Sequence, residues 1–124
     1  RKAIKYYTES IQIDPQTPVY LLRGMCYMDI GLPDSAVADF NIVLDLRPES
    51  PVRYQRARAL HDLGNLERAL HDYNYLIENY DLIRNSDYLS KKQRLVLYYN
   101  GRGACLEEMG RGSSSGYCIF EINN

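Results

Sequence analysis

Ala36-Val37-Ala38-Asp39-Phe40 returns 33 residues later as Ala69-Leu70-His71-Asp72-Tyr73. Ala3, Ile4 and Tyr7 stand 33 residues before Ala36, Val37 and Phe40, and Ile11, Leu44 and Ile77 add one more turn to the series. A period of this length marks a solenoid of helix pairs, in which no unit covers its own apolar face and neighbours must stack. Such folds offer surfaces to partners more often than they build catalytic pockets. Residues 17–49 and 50–82 align without a gap. Their eight identities are Pro18/Pro51, Val19/Val52, Arg23/Arg56, Asp29/Asp62, Gly31/Gly64, Ala36/Ala69, Asp39/Asp72 and Asn41/Asn74.

Each unit reads as two helices. Thr17-Pro18 and Ser50-Pro51 are start signals: a hydroxyl cap accepts backbone N–H bonds, and proline suits the first helical position. Gly31 and Gly64 end the first helices, since glycine enters a left-handed turn cheaply. The second helices start near Pro33 and Leu66 and run to Pro48 and about Asn79. Residues 1–15 match a second helix whose own first helix lies upstream, so the chain reads as part of a longer protein. Arg102-Gly103 and Gly110 match Arg23-Gly24 and Gly31, which places the first helix of a third, partial unit at 96–110. Residues 83–95 are then an insertion, with a loop at Asn85-Ser86-Asp87 and a capping box at Ser90–Gln93. The third helix is expected to be longer than its predecessors, over roughly 89–109. Residues 111–124 break the pattern. They are expected to form a flexible tail, with Ser115 at the alanine position and a short apolar run at Tyr117–Phe120.

Composition narrows the function. Fifteen basic and sixteen acidic residues leave a net charge of −1, which argues against a nucleic-acid partner. A hydrophobic content of 45% argues against disorder. Twelve tyrosines and two phenylalanines stand against no tryptophan, so the large packing residues carry polar tips. Cys26, Cys105 and Cys118 are odd in number and widely spaced, which fits a reducing, cytoplasmic setting better than a disulfide framework or a zinc site. No apolar run is long enough to cross a membrane.

The pattern resembles the tetratricopeptide repeat (TPR) family. Unit one supplies its aromatic, small and turn positions as Tyr20, Gly24, Tyr27, Gly31, Ala36, Phe40 and Pro48. Unit two supplies Ala57, Leu60, Gly64, Ala69 and Tyr73. It departs at Arg53, where the aromatic has moved to Tyr54, and at Asp81, where the closing proline is expected. The resemblance implies an all-α, right-handed superhelix of antiparallel helix pairs. It also implies protein–protein interaction as a scaffold or adaptor, with a partner peptide or helix on the concave face lined by the first helices. By repeat position that face includes Leu21, Met25, Met28 and Asp29, then Tyr54, Arg58, His61 and Asp62, then Asn100, Ala104, Glu107 and Glu108. One TPR subclass grips the C-terminal carboxylate of heat-shock chaperones through a Lys/Asn/Asn/Lys/Arg clamp. Here those positions hold Leu21, Met25, Gln55, Leu97 and Gly101, and none matches. Two alternatives stay open: a recruiting segment of a larger enzyme, and a self-association module whose uncovered end helices pair with another copy.

Several residues carry specific expectations. Gly24, Ala57, Ala36 and Ala69 are small because two helix backbones approach there. Arg23 and Arg56 each precede an aspartate by sixteen residues, which predicts Arg23–Asp39 and Arg56–Asp72 pairs inside each hairpin; lining a ligand groove is the other reading. The counterpart of these aspartates for Arg102 is Cys118. Asp29, Asp62 and Glu108 recur near helix C-termini, where the macrodipole disfavours negative charge. Their repetition hints at a column for Lys or Arg of a partner; a solvated helix end is the other reading. His61 and His71 are the only histidines and sit on different helices. Gly101-Arg102-Gly103 and Gly110-Arg111-Gly112 lack the rest of a nucleotide-binding loop. The expectation is no catalytic residue, no cofactor and no metal site.

Overall fold

The computed structural model describes residues 2–83 and 89–113, the last three as backbone only. Six α-helices follow one another: α1 (Lys2–Ile13), α2 (Thr17–Asp29), α3 (Pro33–Leu46), α4 (Val52–Asp62), α5 (Leu66–Glu78) and α6 (Lys91–Ser113). One 3-10 turn, Tyr80–Leu82, follows α5, and no strand occurs among the described residues. The Asn85-Ser86-Asp87 loop, Ser115, Cys118 and the Tyr117–Phe120 run lie outside them.

Each helix packs on the next in the chain, while α2, α4 and α6 also touch along one side. Both are consequences of the repeat. The glycine turns fold each hairpin back on itself. Gly31 has φ 77° and Gly64 φ 80°. Leu32 N–H donates to Tyr27 C=O and Asn65 N–H to Leu60 C=O, at 2.8 and 2.9 Å. Gly31 N–H and Gly64 N–H add the inner bonds to Met28 and His61. These are paired Schellman turns, which satisfy carbonyls that the helix end leaves open. The reversal brings Ala36, Ala57 and Ala69 to crossings where each is fully buried. Phe40, Leu60, Tyr73 and Leu76 fill the space around them, each contributing about 1.5–3 kcal/mol on burial. Gly24 exists for the Phe40 ring: a Cβ there would stand 2.5 Å from it. Ala3, at the same repeat position as Ala36, is exposed, because α1 has α2 as its one described neighbour.

Two local expectations change. Thr17 does not cap α2; it lies inside the helix, Gln16 takes the cap position, and no side chain bonds there. Pro18 already supplies a residue without an N–H in the first turn, so there is one fewer donor to satisfy. Ser50 Oγ does accept from Val52 N–H, at 3.2 Å. Gly110 does not end the third helix, since α6 runs through it to Ser113. Glycine permits a turn without forcing one, and Arg111-Gly112-Ser113 offers no apolar face to fold back. At its other end α6 starts on a reciprocal capping box: Gln93 N–H donates to Ser90 Oγ, and Ser90 N–H to Gln93 Oε1, at 3.2 and 2.9 Å.

Candidate functional site

A repeated arginine ties α2, α4 and α6 to the helices behind them. Arg23 forks onto Asp39, with Nε and Nη2 donating to Oδ2 and Oδ1 at 2.8 and 2.7 Å. Arg56 does the same to Asp72 at 2.9 and 2.8 Å. Both carboxylates are almost wholly buried, at 3% and 2% exposure, so each needs its cation. The Asp39 hydrogen bonds raise the pKa of Arg23, with burial opposing them. The third guanidinium nitrogen reaches the preceding hairpin: Arg23 Nη1 donates to Thr8 Oγ1, Arg56 Nη1 to Asn41 Oδ1 and Arg102 Nη1 to Asn74 Oδ1, at 3.1, 3.0 and 3.3 Å. Thr8, Asn41 and Asn74 are themselves 33 residues apart. One side chain thus ties its own hairpin together and fixes that hairpin against the one before. The Asn41/Asn74 identity was the signal for this second contact. It is silent within any single unit, because the bond crosses between units.

Between α2, α4 and α6 lies a groove of about 460 Å³. Leu21, Leu22 and Met25 form one wall, Pro51, Tyr54 and Gln55 the floor, and Leu97 and Tyr98 the other wall, with Leu89 and Arg94 at one end. Tyr54 is its centre: its ring meets Tyr73 edge-on at 6.2 Å and Tyr98 at 5.5 Å. Arg53 holds the place of the aromatic that moved to Tyr54. Its guanidinium lies 3.9 Å over the Tyr75 ring and 3.5 Å from Asp72. Burial pushes the hydroxyls of Tyr73 and Tyr98 up, with Arg94 opposing at Tyr98, so both phenols stay neutral. Burial also raises the Cys105 thiol to about 11, with Glu108 adding to it.

Leu21, Met25 and Tyr54 therefore share one surface, and neither Arg23 nor Arg56 lines it. Asn100 does not join them; it borders a separate cleft on α6 with Lys91, Lys92, Leu95, Val96 and Tyr99. Leu97, which repeat position places on this face, and Tyr98, which it does not, form the groove wall on α6. His61 Nε2 lies 2.8 Å from Glu108 Oε1, a cross-link between α4 and α6. Asp29, Asp62 and Glu108 are all exposed, and Glu108 differs from the other two in its contact with His61. Arg58 is exposed, with Nη1 on Gln55 Oε1 at 3.4 Å and its guanidinium 5.9 Å from the Tyr54 ring centre. Among the described residues no group of three His, Cys, Asp or Glu is placed to hold a metal, and no helix is long and apolar enough to cross a membrane.

A solenoid of helical hairpins with an apolar groove on one side defines a class of interaction module. The family model described as tetratricopeptide repeat matches residues 17–50, the α2–α3 hairpin and the link after it. Residues 17–50 are thus similar to a tetratricopeptide repeat, a unit whose general role is protein interaction, and the all-helical stack of hairpins is consistent with that type of fold. No curated protein matches it.

Proposed function

We propose that this chain is a scaffold or adaptor segment that receives a peptide or helix of another protein in the groove between α2, α4 and α6. On this reading residues 17–49 and 50–82 are the two full units, and 96–110 belongs to a third. The observation that carries it is the groove lining: Leu21, Leu22, Met25, Tyr54, Leu97 and Tyr98 are large and apolar, and they converge from three helices. Such a surface suits a segment with two or three apolar anchors at helical or alternate spacing. Leu21, Met25 and Leu97 fill positions where a carboxylate clamp would need amines and amides, so the ligand is apolar in its anchors. Exposed Asp29 and Asp62 favour a basic flank on it.

Selection of random peptides on the immobilised full chain tests this. Enriched sequences are expected to carry spaced Leu, Ile, Phe or Met, and to lose binding at least tenfold to Leu22→Asp or Met25→Asp. Charge reversal of Asp62 is expected to weaken those with a basic flank. Peptides that bind both groove variants unchanged would overturn the assignment.

A further inference from the structure

The groove leaves one feature of α6 unused. In α2, Tyr20, Arg23, Gly24 and Tyr27 share a face. Arg23 lies between the two rings, 5.8 and 5.9 Å from their centres, while Gly24 seats the Phe40 ring and the Arg23 fork takes Asp39. The face is thus made to receive a helix with a small residue, an aspartate three on and an aromatic next to it: Ala36, Asp39, Phe40. In α4 the fully buried Ala57 and the Arg56 fork sit against the same order, Ala69, Asp72, Tyr73. The matching residues of α6 are Tyr99, Arg102, Gly103 and Leu106. Arg102 stacks on Tyr99 at 4.8 Å and keeps its Nη1 bond to Asn74, so its rung is set as the others are. Yet no described atom comes within 4 Å of where a Gly103 Cβ would be. Tyr99 and Leu106 are 48% and 43% exposed. Val96, 51% exposed, continues the stripe into an apolar cleft of about 640 Å³ beside Leu95 and Lys92. The opposite side of α6 is filled, since Gly101 seats Tyr73.

We propose that this stripe of α6 is a second docking surface, for an amphipathic helix of a partner protein that carries the order small–x–x–Asp–aromatic. Charge selects this occupant. Lys92 and Arg102 border the stripe, and both filled rungs answer the arginine with a buried carboxylate. Within the chain the counterpart of that carboxylate is Cys118, and α1 of a second copy would bring Tyr6 to the place. Neither neutralises Arg102.

The test uses a labelled peptide of residues 65–79, the α5 segment that fits the equivalent face of α4, titrated into the full chain by fluorescence anisotropy. Saturable binding is expected, weakened at least tenfold by Asp72→Asn in the peptide, and by Arg102→Ala or Gly103→Leu in the protein. Gly103→Leu fills the seat while favouring the helix, and circular dichroism checks that the fold is kept. Absent binding, or binding that survives Gly103→Leu, would overturn the proposal. So would nuclear Overhauser contacts from Tyr99 and Leu106 to residues 117–120 of the same chain, or a self-association that Gly103→Leu abolishes.

Discussion

Two stretches of this chain carry the same punctuation and end differently. Arg23-Gly24 is followed seven residues on by Gly31, and Arg102-Gly103 by Gly110. At Gly31 the backbone turns left-handed and the chain folds back as α3; at Gly110 it stays helical and α6 continues. What differs is the sequence after the glycine. Ala36, Asp39 and Phe40 find a seat, a cation and a groove on α2, and burying them favours the reversal. Nothing after Gly110 repeats that trio. A glycine makes a turn cheap, and tertiary packing decides whether the turn is made.

The comparison can be broken at its strongest link. Asp72→Ala leaves Arg56 half-buried with its fork unpaired and also removes the neighbour of Arg53. It should cost about 3–5 kcal/mol in urea unfolding. Asp39→Ala, which strands one arginine, should cost less. Arg102→Ala removes a hydrogen bond to a neutral acceptor and an exposed stack on Tyr99, and should cost about 1 kcal/mol. Equal losses at Asp72 and Arg102 would mean that the hairpins are not held by their forks.

The glycines sharpen it further. Gly24→Leu drives a side chain into the Phe40 ring and should cost about 1–3 kcal/mol. Gly31→Ala and Gly64→Ala force a Cβ into the left-handed region, at about 1–2 kcal/mol each. Gly103→Ala, at the repeat position of Gly24, meets open space in a helix and should stabilise by about 0.5–1 kcal/mol. Thermal melts of the Gly24 and Gly103 variants should therefore move in opposite directions.

How much of this was legible follows from the same logic. The small residues and the turn glycines return at a 33-residue period, so the hairpin architecture could be read from Ala36/Ala69 and Gly31/Gly64. Of the residues that counting puts on one face of α2 and α4, Leu21, Met25 and Tyr54 line the groove between the helices, whereas Asp29, Arg58, His61 and Asp62 do not. On α6 counting places both Leu97 and Asn100 on this face; Leu97 lines the groove, Asn100 borders the other cleft, and Tyr98 falls outside the count. The bonds from the arginines to Thr8, Asn41 and Asn74 join consecutive units, and no pattern within one unit announces them.

The smallest effect expected is at alkaline pH. Burial holds the Cys105 thiol and the Tyr73 and Tyr98 phenols neutral, with the thiol raised from 9.0 to about 11. In the unfolded chain they ionise sooner. The stability from these groups is complete below about pH 9 and drains away as the pH climbs through 11 and beyond. The melting temperature should fall between pH 8 and 10.5, and less steeply in Cys105→Ala. The same burial should make Cys105 slow to react with thiol reagents at pH 8.

The central claim is that one arginine per unit binds two hairpins at once, so that the solenoid behaves as a single body. A double-mutant cycle between Arg56→Met and Asn41→Leu measures the link across the hairpins directly. If Arg56 Nη1 and Asn41 Oδ1 share a real bond, the two losses should couple by about 1 kcal/mol or more. Losses that simply add, within about 0.3 kcal/mol, would contradict the account.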